Sequence, residues 1–210
     1  MPTKSKDLHG NVPDEAGAAL LLIDVINDFE FENGAALLKL ALPVGKQIAN
    51  LKARAKQAGI PAIYVNDNFG RWRSDLNQIV SHCLEDGVRG EPFVKLVLPD
   101  DNDYFVLKPK HSGFYCTSLE LVLQHVGSRR LILAGIAGNN CVLFTANDAY
   151  MRDFKLFVPE DCVVSKTMEE NKYALKQMEK VLKADIRASG ELRLEEMNEI
   201  NSLITQTETG

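Results

Sequence analysis

The chain has 210 residues, with 24 Lys and Arg against 29 Asp and Glu, and 45% of it is hydrophobic. That length supports one domain with a full core, and the composition carries no disorder signature. The net charge of −5 argues against nucleic acid or an anionic membrane as partner, since both need clustered cations; no apolar run approaches the roughly 20 residues of a membrane span.

In chain order, residues 1–15 read as a polar N-terminal arm without the apolar core of a secretion signal. Residues 18–23 are continuously apolar and end at Asp24, as in a strand buried on both faces. Val44, Ile48, Leu51 and Ala55 then repeat with helical spacing, Pro43 standing near the start and Gly59 past the end. A second strand, 61–65, closes in Asn66, Asp67 and Asn68. Residues 71–101 are hard to read: a weak helical pattern spans 76–84, before a Gly-rich charged stretch at 86–91. A third strand, 104–107, ends at Lys108-Pro109, and a helix is predicted over 117–126. The fourth strand, 130–135, passes through a turn at 136–140 into a helix from about Cys141 to Arg152. A fifth strand covers 155–159, and helical patterns cover 168–182 and 192–203.

This alternation predicts an α/β fold: a single three-layer, doubly wound domain over 16–205, with a mostly parallel sheet and helices on both faces. Residues 206–210 read as a frayed tail. In such sheets the site lies beyond the carboxyl ends of the strands, which singles out Asp24, Asn66, Asp67, Lys108 and the turn at 135–141. The cysteines at 83, 116, 141 and 162 lack CxxC spacing, so reduced thiols and a cytoplasmic location are expected.

Cys141 follows Asn139 and Asn140, good helix-capping residues, at the predicted opening of a helix. Unpaired N–H groups and the positive end of the helix dipole there favour a thiolate and can stabilise an oxyanion after attack on a carbonyl. Against this stands the ordinary fate of a free cysteine, burial as a small hydrophobe. Asp24 and Lys108 each have equally ordinary explanations, a turn residue and a solvated edge charge. Together they supply a base and a cation at the same edge of the sheet as the thiol.

Three stretches carry a resemblance. Leu21 through Asp24 to Phe29 resembles the opening motif of the isochorismatase-like cysteine hydrolases, which include nicotinamidases and N-carbamoylsarcosine amidases. Lys108-Pro109 with Ser112-Gly113-Phe114 and Thr117-Ser118-Leu119 resembles their second motif, and 135–142 through Tyr150 resembles the nucleophile motif. The likeness runs from about residue 16 to 182. It implies a triad of Asp24 as base, Lys108 as electrostatic partner and Cys141 as nucleophile. It also implies a cis peptide at Ile136-Ala137 and an oxyanion hole from the Ala137 and Cys141 amides. A homo-oligomer, dimer or tetramer, is the assembly it implies.

The departures narrow the expectation. Nicotinamidases of this family carry a metal on an Asp and two nearby histidines after the second strand; here Asp67 remains, but the next histidine is His82. One carboxylate without imidazoles is a poor transition-metal site, so neither metal nor other cofactor is expected, and nicotinamide is disfavoured as substrate. The Gln common two residues after the first-motif Asp is Ile26. Some siderophore-pathway isochorismatases lack the nucleophilic cysteine, so its presence favours covalent hydrolysis.

Phe29, Asp67, Phe69, Trp72 and Phe114 are the candidates for a substrate pocket, and Arg71, Arg73 and Lys110 could hold a substrate carboxylate. Cys83, Cys116 and Cys162 read as bystanders, Cys116 being the one near a motif. His111, beside the second motif, is expected at the surface or behind the site rather than in catalysis. The leading expectation is a thiol hydrolase of a C–N bond in a small-molecule amide or ureide. Vinyl-ether hydrolysis and a catalytically idle binding or scaffold protein are the competitors. A DxD phosphotransferase is set aside because position 26 is Ile, and no GxGxxG follows a strand.

Overall fold

The computed structural model describes residues 15–68 and 75–199. At the centre of its sheet is β1 (Ala18–Ile23), every residue of which is fully buried. Ala18, Leu20 and Leu22 enter one core, and Ala19, Leu21 and Ile23 the other, because successive strand side chains point to opposite faces. With a core on each side, both sets must be apolar, which is why this segment shows no alternation.

β2 (Ala62–Asp67), β3 (Tyr104–Lys108), β4 (Arg130–Ile136), β5 (Lys155–Phe157) and β6 (Val163–Val164) complete the sheet. Its order is β3-β2-β1-β4-β5, and every pairing is parallel. β5 pairs with residues 130–132 of β4 and β6 with Gly135 and Ile136, so the two share one edge. The predicted fifth strand, 155–159, therefore stops at Phe157, and the strand position resumes at Val163 after a tight turn at Glu160–Cys162.

One face is covered by α1 (Gly34–Gln57), α2 (Leu76–Glu85), α3 (Glu91–Val94) and α7 (Leu194–Asn198). The other is covered by α4 (Leu119–Val126), α5 (Leu143–Tyr150) and α6 (Met168–Leu182). The three layers expected of the sequence are present. The α1 helix begins ten residues before the predicted start and runs through Pro43. Its buried stripe, Gly34, Leu37, Ala41, Gly45, Ile48 and Ala55, keeps one phase on both sides of that proline. The Pro43 ring is exposed, so one missing backbone bond on the solvent side is tolerated within a helix anchored by tertiary packing.

The Asp75 side chain caps α2 through the Gln78 N–H, and Thr167 caps α6 through that of Glu170. The predicted helix at 192–203 is observed as the short α7; residues 200–203, most of the N-terminal arm and the 206–210 tail lie outside the described residues. Strand order reverses between β1 and β4, and at that switch point the carboxyl-end crevice opens.

Candidate active site

Strand register aligns the residues that matter. Ile23 pairs with Val65 on one side and Gly135 on the other, and Asp67 pairs with Lys108. Asp24 therefore leaves β1 level with the turn after β4. Its backbone is left-handed, φ 50°, a conformation Asp tolerates better than most residues. The Asp24 N–H donates to Val65 O at 3.0 Å, and Oδ1 accepts the Asp67 N–H at 2.7 Å. Fully buried Asn66 clasps the following loop: Oδ1 accepts the Ile26 N–H at 3.0 Å and Nδ2 donates to Ile26 O at 2.9 Å. The Ile26 side chain lies in the core.

Lys108 Nζ is the hub. It lies 2.8 Å from Asp24 Oδ2, 3.5 Å from Cys141 Sγ and 3.7 Å from Asp67 Oδ2. A fully buried ammonium is tolerated only with close partners. Burial pulls its pKa down, but Asp24, Cys141 and Asp67 more than offset this and hold it above the ordinary lysine value. Burial also lifts the Asp24 carboxyl above its usual range, against the opposing pull of Lys108, Cys141 and the Asp67 N–H. A carboxylate raised in this way is a stronger proton acceptor.

Cys141 departs from expectation. It is not in the first turn of an α-helix but in a wider turn, Gly138–Val142, that precedes α5. The Ala137 carbonyl there accepts from the N–H of Asn140 at 3.0 Å and of Val142, five residues on, at 3.2 Å. Burial, then the Asp24 charge, push the thiol pKa up to about 12, with Lys108 opposing. Burial and the neighbouring carboxylate thus oppose the thiolate that a helix start alone favours.

The turn is tight for identifiable reasons. The Ile136-Ala137 peptide is cis. Gly135 has φ 132°, and a Cβ there would sit 2.0 Å from Ile23 O. At Gly138 a Cβ would meet Asn171 Oδ1 at 2.6 Å. Ser165 Oγ accepts the Asn139 N–H at 3.1 Å and donates to Asn171 Oδ1 at 3.0 Å, while Asn171 Nδ2 donates to Val163 O at 3.0 Å. β6 and α6 thus hold the nucleophile turn from behind, a support with no sequence signal beyond two polar residues.

The structure brings Asp24, Asp67, Lys108, Cys141 and the Ile136-Ala137 peptide together. Phe29 is fully buried in the core, edge-on to Phe93 at 5.4 Å. Phe114 is buried on the opposite face, with the Arg152 guanidinium 4.8 Å from its ring centroid. Both pack in the cores. Phe69, Arg71, Trp72 and Arg73 lie outside the described residues. Lys110 and Cys116 are exposed, and Cys83 and Cys162 are buried.

His111 is exposed, as expected, yet its Nδ1 is 4.0 Å from Cys141 Sγ, and its ring packs on Phe144 with centroids 5.4 Å apart. Its place three residues after Lys108 and two before Gly113 was the available signal. The surroundings of Asp67 do not fit a metal. Its carboxylate faces an ammonium, and among the described residues no group of three or more His, Cys, Asp or Glu is arranged to hold an ion.

The family model described as "Isochorismatase domain" matches residues 18–187. The chain belongs to the isochorismatase family. It is a hydrolase of that family with the family's α/β fold. The uncharacterized isochorismatase family protein YaaI of Bacillus subtilis is 45% identical over 82% of this chain and 94% of its own length. The same organism's isochorismatase is 31% identical over 83% of this chain, which spans 58% of that protein. Among solved structures, N-carbamoylsarcosine amidase from Thermoplasma acidophilum is similar with a TM-score of 0.66 and 25% identity, covering 84% of this chain and 98% of that one. No helix among the described residues is long and apolar enough to cross a membrane.

Proposed function

We propose that this isochorismatase-family hydrolase cleaves the C–N bond of a small amide or ureide through a thioester on Cys141. The observation that carries the proposal is the buried Lys108 ammonium, in contact at once with the Asp24 carboxylate and the Cys141 sulfur. In this reading Asp24 takes the thiol proton as sulfur attacks the substrate carbonyl. Lys108 balances the negative charge that shifts between carboxylate and sulfur. Because burial and the Asp24 charge hold the proton on sulfur, proton transfer and attack are coupled. The Ala137 and Cys141 amides stabilise the oxyanion. Nitrogen leaves with the proton held by Asp24, and water then hydrolyses the thioester. The likeness to an amidase of solved structure supports the bond type.

The test is mass spectrometry of the intact protein, quenched within milliseconds to seconds across a panel of small amides and ureides. A substrate-derived acyl adduct on Cys141, absent from Cys141→Ala, is the expected result. A second reading, vinyl-ether hydrolysis, draws on the likeness to the Bacillus isochorismatase. Turnover of isochorismate with no adduct on Cys141 would favour it. Inertness toward both substrate classes, with Cys141 alkylated only at extreme pH, would favour an idle binding protein.

A further inference from the structure

We propose that His111 is the general base of the second half-reaction, activating the water that hydrolyses the Cys141 thioester; this rests on the covalent amidase reading above. Asp24 is poorly placed for that task. Its contacts with the Asp67 N–H at 2.7 Å and Lys108 Nζ at 2.8 Å leave it able to serve the neighbouring sulfur, but the carboxylate is almost wholly buried away from water. His111 stands beside the same sulfur, at 4.0 Å, but is itself exposed. Water therefore reaches the imidazole without crossing the buried ion pair. Catalytic contacts in ligand-free structures are often long and tighten in the reacting complex.

The imidazole is held rather than merely nearby. Ser112, the next residue, is buried and donates its hydroxyl to the Asp148 carboxylate of α5. The Gly113 N–H donates to Thr145 Oγ1 at 3.0 Å, and that hydroxyl donates to Cys141 O at 2.7 Å. A Cβ at Gly113 would lie 2.7 Å from Val65 Cγ1, so the segment is pressed against the sheet. The ring rests on Phe144, in the first turn of α5 and half exposed. His111 and Cys141 are thus tied to the same helix and keep their separation.

The step balances as follows. Water gives one proton to His111 Nδ1, and its oxygen bonds to the thioester carbonyl carbon. The C–S bond breaks and sulfur leaves with the electron pair beside Lys108. The imidazolium returns the proton to sulfur, which restores the thiol and the neutral histidine. The carboxylic acid product keeps the other water proton.

The experiment uses p-nitrophenyl acetate as acylating probe on the full chain in a Cys116→Ser background, so that the exposed thiol does not compete. Wild type and His111→Gln should release the first equivalent of nitrophenolate at similar rates, because Asp24 serves acylation. Steady-state turnover of His111→Gln should fall about a hundredfold or more, with acetyl-Cys141 accumulating by peptide mass spectrometry. Free imidazole should restore part of the turnover of His111→Ala. Wild-type turnover in His111→Gln, or equal losses in burst and steady state with no accumulated thioester, would overturn the assignment. Acetyl-Cys141 absent from both proteins, with Cys141→Ala still active, would instead remove the covalent reading and the inference with it.

Discussion

Asp24→Asn separates the role of Asp24 as proton acceptor from its role as a charge. The Asp24 charge raises the Cys141 thiol pKa and the Lys108 charge lowers it, so removing the first leaves the second unopposed. The sign is then definite: the thiol pKa falls, and at any pH below it more thiolate is present. Lys108 Nζ stands 3.5 Å from Sγ; at an effective dielectric of about 20, charges that close interact by ~5 kcal/mol. Burial is unchanged and cancels part of this gain. A net effect of only ~1.4 kcal/mol would still raise the thiolate fraction about tenfold. Turnover should move the opposite way, falling by a factor of about 10²–10⁴ with loss of the base. The variant also leaves Lys108 with Asp67, at 3.7 Å, as its remaining carboxylate among the described residues, and breaking a buried pair costs ~3–5 kcal/mol. Fold should therefore be checked by circular dichroism before rates are compared. The assay is iodoacetamide alkylation of Cys141 from pH 6 to about 10, mapped by mass spectrometry beside amide turnover. Alkylation no faster than wild type, together with retained turnover, would refute the placement of the proton on Asp24.

Cys141→Ala should lose turnover by at least about a thousandfold while its thermal midpoint stays within a few degrees of wild type, because a small buried side chain is replaced by another. Differential scanning calorimetry and the amide panel check both. Asn66→Ala should orphan the Ile26 N–H and C=O and cost ~2–4 kcal/mol in urea unfolding, with slower turnover because the loop carrying Asp24 loses its clasp. His82 bonds Asp86 at 2.7 Å and Asp28 at 3.3 Å, contacts that raise its pKa. A raised folded-state pKa gives stability that is full below the ordinary histidine value and is lost as pH rises through the folded value. The thermal midpoint of the wild type should thus decline from about pH 6.5 upward relative to His82→Gln, and parallel midpoint curves would refute this linkage. We propose a homo-oligomer, and sedimentation should show a dimer or tetramer; a monomer at micromolar concentration would refute it.

While α3 and β6 were not legible in the sequence, the alternation of the main strands and helices, the three layers and the placement of Asp24, Lys108 and Cys141 at strand ends were. Each rests on a local pattern: doubly buried strands are continuously apolar, and polar residues at their carboxyl ends mark the crevice. Pro43 misled because the rule that proline opens or breaks helices is local, whereas the stripe from Gly34 to Ala55 is anchored by packing against the sheet. The burial of two aromatic candidates is likewise decided by packing. Phe29 and Phe114 lie near motifs in the chain, but backbone direction turns both into cores.

The protonation of the thiol was beyond the sequence altogether. A helix-start cysteine reads as a thiolate when only its own turn is considered. Burial and a carboxylate contributed from β1, over a hundred residues away in the chain, reverse that. His111 shows the same limit. Its type was visible, but its distance to sulfur is set by the bonds from Ser112 and Gly113 to α5. Sequence by itself determined the family, the layers and which three residues stand at the strand ends. Only the tertiary structure decided which charges share low-dielectric space, because pKa values and reach depend on burial and separation rather than on spacing along the chain.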